Sequence, residues 1–301
     1  MTTSRRGGGA PWLQRSWDIR AACNFIGGGS GTGLILAATA AQFAGWPYFP
    51  AGILAIALIG FGLLMVWLEI GRPFRALNVF FHPQTSWMSR EALLALPLLA
   101  FAGVAVIMDQ NWVTLPSQIR LPAVPFEMTS AVLALAFLFS QARILTASHG
   151  VPAWREPSLQ IVIIVSGIAE GLGLLLALGV FIADPQAWIV VAAIVALVAR
   201  AAAWEGYRHR VKLTAPEPAV AAVSRASAGV LLGHCVAAVL LIGSLVMPSP
   251  VVPAAAAGLL LFATGAWLKF VIVTRAAFTQ GFSIPYVPVR GRTGTALPGH
   301  G

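Results

Sequence analysis

The sequence predicts an all-α integral membrane protein, a bundle of eight transmembrane helices with both termini in the cytoplasm. Of its 301 residues, 58% are hydrophobic and only 10% are charged, whereas soluble proteins carry about 25% charged residues on a solvated surface. Long apolar stretches recur along the whole chain, and the Lys and Arg residues cluster in alternate connections between them. The outer surface is therefore expected to face lipid.

Eight apolar stretches are long enough to cross a bilayer, since a helix needs about 20 residues to span roughly 30 Å of hydrocarbon. Together they form a predicted membrane domain at residues 21–274, between a basic leader at 1–20 and a tail at 275–301. The segment 204–225 is polar enough to be more than a connector, and its Ala/Pro-rich middle is predicted to be a flexible cytoplasmic linker. The stretches lie at 21–43, 49–70, 91–108, 126–146, 159–183, 187–204, 224–247 and 251–273.

The distribution of basic residues predicts the orientation. The connections 44–48, 184–186 and 248–250 are short and nearly uncharged, while most of the others carry several arginines. An arrangement with both termini on one side places every Lys and Arg on that side except Arg120. By the positive-inside rule that side is the cytoplasm, which indicates a bacterial inner-membrane protein. The net charge of +9 then needs no nucleic-acid partner.

The chain offers few ligands for a bound metal or haem. Cys23 and Cys235, the two cysteines, both lie in apolar stretches, which excludes a disulfide framework and a Cys-rich zinc or iron–sulfur site. His234 is the only histidine within a predicted span, so a bis-histidine haem would need a second ligand from a connection. We expect no haem, cluster or metal site in this chain, and an interhelical hydrogen bond from His234.

A glycine-rich run occupies residues 25–33 of the first span. It resembles a phosphate-binding loop only superficially, because no strand precedes it and no Lys follows it. The pairs Gly27/Gly31 and Gly29/Gly33 have the small-xxx-small spacing that allows helices to pack closely in lipid. As an alternative, the missing side chain at Gly29 leaves room for a flat ligand such as a quinone.

The connection between the second and third spans concentrates ionisable groups. Glu69 ends one helix and Glu91 begins the next, at similar depth in the membrane. Carboxyl groups with tuned pKa values transfer protons well, and quinone reduction consumes two protons with two electrons. The alternative is that these charges orient the helices and bind lipid headgroups. The polar residues expected at this site are Arg72, Arg75, Asn78, His82 and Arg90.

The same connection resembles the dimethyl sulfoxide reductase membrane-anchor family, within the wider polysulfide/nitrite reductase anchor superfamily. The family pattern Gly-x-Pro-x-Arg-Ala-x-Asn followed by Ser-x-Glu corresponds to Gly71, Pro73, Arg75, Ala76, Asn78, Ser89 and Glu91. The resemblance implies eight spans without haem. It also implies electron transfer between quinone and a four-cluster ferredoxin-like iron–sulfur subunit, which serves a molybdopterin catalytic subunit.

The resemblance also implies roles for individual residues. Glu91 matches the quinol-linked glutamate, whereas Glu69 stands where the family has a histidine, whose role then falls to Glu69 or His82. Residues 24–29 and 82–87 resemble anchors of phenylacetyl-CoA:acceptor oxidoreductases. The anchor of a sulfite-oxidising complex is the competing assignment. The chain itself would carry no substrate chemistry beyond quinone redox.

Glu170 is the one acidic residue deep within a predicted span, flanked by Gly167, Gly171 and Gly173. Ionisable groups at this depth are costly and usually face a bundle interior or water. We expect a proton relay or a wall of the quinone cavity, with an interhelical hydrogen bond as the alternative. Other polar residues near helix ends are expected to be interface anchors that snorkel: Asn24, Gln141, Arg143, Arg200 and Lys269.

These patterns favour a quinone-reactive membrane anchor, with cytoplasmic catalytic subunits that feed electrons into quinone. The iron–sulfur subunit is expected to contact Arg72, Arg75, Arg90 and the tail from Phe278. A proton-coupled secondary transporter that uses Glu170 is the alternative class, although neither inverted repeats nor paired interrupted helices are evident. A purely structural tether is the third hypothesis, in which Glu69 and Glu91 are dispensable.

The arginine asymmetry predicts that both termini are cytoplasmic and that residues 109–125 are outside. Reporter fusions or cysteine labelling at Gln110 and Arg292 should therefore report opposite sides of the membrane. Labelling of both positions from the same side would contradict the eight-span topology.

Overall fold

The structure is a computed structural model that describes residues 10–70, 73–110 and 122–281. Arg72, Arg120 and the tail beyond residue 281, each of which carries a prediction above, lie outside the described residues. The helices are α1 (Ile19–Gln42), α2 (Phe49–Ile70), a 3₁₀ helix (Pro73–Phe81), α3 (Trp87–Asp109), α4 (Val124–Thr146), the short α5 (Pro152–Arg155), α6 (Ser158–Ile182), α7 (Ala187–Thr214), α8 (Glu217–Ser244) and α9 (Val251–Phe270), which continues as a π helix (Val271–Arg275).

Within the described residues, eight helices are long and apolar enough to cross a membrane. The all-α, eight-span prediction is therefore confirmed, and most helix boundaries differ from it by only a few residues. The end of the bundle where α1, α3, α6 and α8 begin is called the basic end, because it carries most of the described Arg and Lys residues.

The flexible linker predicted for the Ala/Pro-rich middle of residues 204–225 is wrong, because α7 continues to Thr214 and α8 begins at Glu217. Pro216 disfavours helix at the residue before it, so α7 ends there. Pro216 directly precedes α8, and Pro218 lies in the first turn of that helix, where a missing backbone donor costs little. The buried Tyr207 hydroxyl also fastens the extended α7 by donating to the Ala153 carbonyl at 3.0 Å.

Helix α1 lies at the centre of the bundle and packs against α2, α4, α6 and α9. A side chain at Gly27 would collide with the Leu58 carbonyl of α2, and one at Gly31 with the Ala55 carbonyl. On another face, a side chain at Gly33 would collide with the Gly167 carbonyl of α6. The predicted close packing through small residues is confirmed, since these contacts bring helix backbones together.

The two ends of the described chain meet at the basic end. Leu13 and Phe278 form an isolated antiparallel bridge. The Gln14 amide donates to the Ala277 carbonyl at 3.0 Å, and the Trp154 indole donates to the Ile272 carbonyl at 2.8 Å. Residues before α1 and after α9 are therefore joined.

The start of α3 is fixed by its cap and by Arg90. The Ser86 hydroxyl accepts from the Ser89 amide at 3.3 Å, as a helix N-cap does. The Arg90 guanidinium donates to the Pro83 carbonyl at 2.7 Å and lies 4.1 Å from the ring centroid of Trp87. These contacts hold Arg90 outward and leave the adjacent Glu91 directed into the bundle, where it is buried.

The helix α1–α6 contact predicts that Gly33→Ala destabilises the bundle. The new methyl group would meet the backbone of Gly167, which cannot move aside cheaply, so we expect a loss of about 1–3 kcal/mol. Thermal unfolding of the purified chain in mild detergent measures this. Gly103→Ala is the matched control, because a methyl group there meets open space and should be neutral or slightly stabilising. Equal unfolding temperatures for both variants would contradict this account.

Candidate functional site

Glu91 is the centre of a buried polar cluster built by three helices. Its side chain on α3 is only 5% exposed. The Asn24 amide of α1 and the Gln141 amide of α4 each donate to Glu91 Oε1 at 3.2 Å. Gln141 Nε2 also donates to the Asn24 carbonyl at 2.9 Å. The carboxyl group is thus held in place by two neutral donors, and no cation in the described residues forms an ion pair with it.

Two cavities meet at this cluster. One, of about 330 Å³, lies between α2, the 3₁₀ helix and α3, and it is mostly apolar. Its walls include Leu64 and Trp67, which are exposed on the outer face of α2. The other, of about 260 Å³, extends toward Ser16 and Trp17 at the basic end. The residues that line both cavities are Asn24, Val66, Ile70, Met88 and Glu91.

Glu69 lines the second cavity and is half-buried. Next to it, the Arg20 side chain donates to both carboxylate oxygens of Asp18, and it donates to the Leu68 carbonyl at 3.0 Å. The hydrogen bonds from Arg20 lower the pKa of Asp18 below its usual value, which keeps that carboxylate charged. This contact joins the start of α1 to the end of α2 at the rim of the cavity.

The structure brings only part of the sequence-predicted site together. Glu69 and Glu91 line the same cavity. Arg75, Asn78 and His82 are exposed around the 3₁₀ helix and line neither cavity. Gly29 lies inside the bundle, with the Lys269 ammonium in the space that its side chain would fill.

The prediction that Asn24 and Gln141 are snorkelling interface anchors is wrong, because both are buried against Glu91. A polar residue near a helix end can reach either outward to water or inward to a partner, and hydrophobicity alone does not distinguish these. One signal was present in the sequence. Asn24, Glu91 and Gln141 all lie about one helical turn inside the same end of the bundle, so they share one depth.

A second buried cluster surrounds Glu170 near the middle of α6. The Lys269 ammonium of α9 donates to Glu170 Oε2 at 2.7 Å, and both side chains are fully buried. The Ser30 hydroxyl of α1 donates to the same oxygen at 2.5 Å. Gly265 on α9 makes room for the carboxyl group, since a side chain there would occupy its position. Glu170 Oε1 has no hydrogen-bond partner among the described residues.

Arg200 extends the buried polar region toward α8. Its guanidinium is fully buried and donates to His234 Nε2 at 3.0 Å, to the Leu261 carbonyl at 2.7 Å and to the Thr264 hydroxyl at 2.8 Å. The predicted interhelical hydrogen bond of His234 is confirmed. The prediction that Arg200 and Lys269 are interface anchors is wrong, because interior acceptors hold both of them inside the bundle.

The two clusters face each other across the glycine-rich run of α1. The Gln141 amide occupies the space beside Gly28, while Gln141 Oε1 and the Lys269 ammonium both lie against Gly29. Gln141 Oε1 has no hydrogen-bond partner among the described residues. The glycines therefore admit polar side chains as well as neighbouring helices. Among the described residues, no three His, Cys, Asp or Glu side chains are grouped closely enough to hold a metal ion.

A bundle of eight apolar helices in the described part of the chain, with a buried carboxyl group beside an internal cavity, defines the class of the chain as a multi-pass membrane protein. The chain belongs to the DMSO reductase anchor subunit (DmsC) family, whose model matches residues 48–290. It is therefore the membrane anchor of a molybdoenzyme complex and partners catalytic and iron–sulfur subunits. A comparison with individually curated proteins gives no match. The family match begins after α1, so Asn24 and Ser30 lie outside it.

The buried ion pair predicts a specific double-mutant result. Lys269→Met should destabilise the purified chain by about 3–5 kcal/mol, because it leaves Glu170 without its cation in a non-aqueous interior. Lys269→Met/Glu170→Gln removes both charges and should recover most of that loss. Unfolding of both variants in detergent provides the measurement, and a double variant as unstable as the single one would contradict the charge argument.

Proposed function

We propose that this chain binds membrane quinone in the apolar cavity beside Glu91 and passes electrons between it and the iron–sulfur subunit. The observation that supports this best is a buried carboxyl group, held by two amides, in the wall of a cavity that opens between lipid-facing residues. Quinone would enter from the bilayer, where it is dissolved.

The chemistry of the cavity fits a quinone ring. Ligand pockets are typically apolar and of roughly 300–1,000 Å³, with a few polar groups that fix orientation. Here the walls are apolar side chains from α2, α3 and the 3₁₀ helix, and the polar groups are Asn24 and Glu91. Quinone supplies the two-electron chemistry when bound, and the partner's clusters supply or accept the electrons.

Glu91 is the proposed proton donor and acceptor for the bound ring. Both described hydrogen bonds to it end on Oε1, which leaves Oε2 to exchange a proton with a ligand oxygen. Asn24 and Gln141 act as positioning residues, because they fix the orientation of the carboxyl group. General acid–base catalysis requires such a group within hydrogen-bond reach of the reacting atom.

Glu69 is the proposed link between Glu91 and water. It lines the cavity that extends to the basic end, whereas Glu91 is almost completely buried. A proton that enters through this cavity would pass the half-buried Glu69 before it reaches Glu91. In this proposal Glu69 exchanges protons with water, and Glu91 exchanges protons with quinone.

Glu170 is proposed as a further proton site, which lies deeper in the bundle than the cluster around Glu91. Gln141 Oε1 and the Lys269 ammonium lie on one glycine turn, and Lys269 in turn contacts Glu170. The same ion pair is what favours the second candidate function, a proton-coupled transporter, and solute uptake into vesicles by the chain without partner subunits would support that alternative.

The proposed orientation places the basic end in the cytoplasm of a bacterial cell, with the catalytic and four-cluster iron–sulfur subunits docked there. Arg75 is exposed at that end and is available to an acidic partner surface. Arg90 is already engaged by backbone carbonyls and Trp87, so its proposed role is to shape the docking surface. An oxidising complex, such as one acting on phenylacetyl-CoA or sulfite, would then deliver electrons to quinone.

Glu91→Gln tests the proposal directly, because the amide keeps the size of the side chain but cannot titrate. We expect the complex to assemble normally while quinone-linked turnover falls by roughly 10² to 10⁴. Turnover with an artificial dye that exchanges electrons with the soluble subunits should persist.

Two further variants act as controls for this measurement. Glu69→Gln should reduce quinone-linked turnover less than Glu91→Gln. Glu205→Gln changes an exposed glutamate on α7 that pairs with Arg208 and should leave turnover unchanged. If the Glu91→Gln variant assembles and keeps the parental rate of quinone-linked turnover across pH, Glu91 has no part in proton exchange. That result would favour the hypothesis of a purely structural tether.

A further inference from the structure

A third cavity lies at the basic end, between α8 and the last turns of α9. Its volume is about 490 Å³, and it shares no lining residue with the two cavities at Glu91. Small and buried side chains, Ala222, Ala226 and Val271, form its apolar floor. Trp267 lies at one end and is 49% exposed. The groove therefore opens to the outside of the bundle.

Two arginines, Arg225 and Arg275, line the same groove and are exposed. Arg225 donates to the Ala221 carbonyl of its own helix at 3.3 Å, and the Arg275 guanidinium lies 5.7 Å from the ring centroid of Phe270. Neither forms an ion pair with a carboxylate side chain among the described residues, which include all ten acidic residues of the chain. Two like charges share the groove without an acidic side chain to neutralise them.

The position of the groove favours an anionic lipid as its ligand. Trp267, Val271 and Arg275 follow at four-residue spacing along α9 and its π helix, so the groove runs from the apolar span to the basic end. Tryptophan is enriched at the depth of lipid headgroups. Basic pockets between transmembrane helices on the cytoplasmic side bind acidic headgroups. A phosphate group beside the two arginines would balance their charge, and an acyl chain on the alanine floor would cover its apolar surface.

We propose that this groove is a binding site for an anionic phospholipid, whose phosphate lies between Arg225 and Arg275 and whose acyl chain lies along Ala226 and Trp267. The lipid would also cover Leu13 and Phe278, which line the groove and join the two ends of the chain. It would thereby brace the basic end against which the partner subunits dock. The site is independent of the proposed quinone chemistry, because it rests on different residues.

Native mass spectrometry of the full chain in mild detergent tests the proposal. We expect phosphatidylglycerol to remain bound in preference to phosphatidylcholine with the same acyl chains. Arg225→Gln/Arg275→Gln should weaken phosphatidylglycerol binding roughly fivefold for each arginine, as the loss of one headgroup charge contact predicts. Arg155→Gln/Lys212→Gln is the matched control, since both residues are exposed at the same end and line none of the three cavities described here.

Two further measurements distinguish a bound phospholipid from inorganic phosphate or a partner protein in the groove. Ala226→Leu fills the floor but keeps both arginines, so it should reduce lipid binding while leaving the affinity for inorganic phosphate unchanged. Inorganic phosphate should compete with phosphatidylglycerol only weakly, because it lacks an acyl chain. Equal binding of the two lipids by the parental chain, or strong competition by free phosphate, would overturn the proposal. So would a double arginine variant that keeps its phosphatidylglycerol but loses the iron–sulfur subunit, because the groove would then be a protein-docking surface.

Discussion

A polar side chain inside a membrane protein must find its partners within the protein, because hydrocarbon offers no hydrogen bonds. In this bundle the constraint falls on α1. Its glycines bring the backbones of α2 and α6 close, and they also make room for the Gln141 amide and the Lys269 ammonium. Asn24 and Ser30 on the same helix donate to Glu91 and Glu170. One helix with few large side chains therefore organises the buried carboxyl groups of Glu91 and Glu170.

Hydrophobicity was sufficient to predict the eight spans, since a stretch of about 20 apolar residues has few alternatives to a transmembrane helix. Hydrophobicity was insufficient to predict the structure of the segment between α7 and α8. The segment 204–225 is rich in Ala, Pro and charged residues, a composition typical of both exposed helices and linkers. One contact that holds the continued α7 in place is the hydrogen bond from the buried Tyr207 hydroxyl to the Ala153 carbonyl, a long-range interaction that no local pattern indicates.

The candidate site, too, could be predicted only in part from the sequence. Glu69, Glu91 and Glu170 were identifiable from the sequence, because acidic residues in or beside apolar stretches are rare and costly. Their partners were missed. Whether Lys269 reaches the interface or Glu170 depends on how α9 is rotated against α6, and the sequence of one helix carries no such information. Proximity along the chain and the family pattern predict Arg75, Asn78 and His82 at the site, whereas the structure leaves them on the surface.

The contact between Glu170 and Lys269 has a consequence for biogenesis. Chains are made from the N-terminus, so α1 and α6 enter the membrane before α9 exists. Until Lys269 arrives, the Glu170 carboxyl has the Ser30 hydroxyl as its side-chain partner in the bundle. The last helix to be made therefore supplies the cation that pairs with Glu170. A chain truncated before α9 would keep seven spans but carry an uncompensated acid at its centre, a state that the cell's membrane proteases could distinguish from the finished protein.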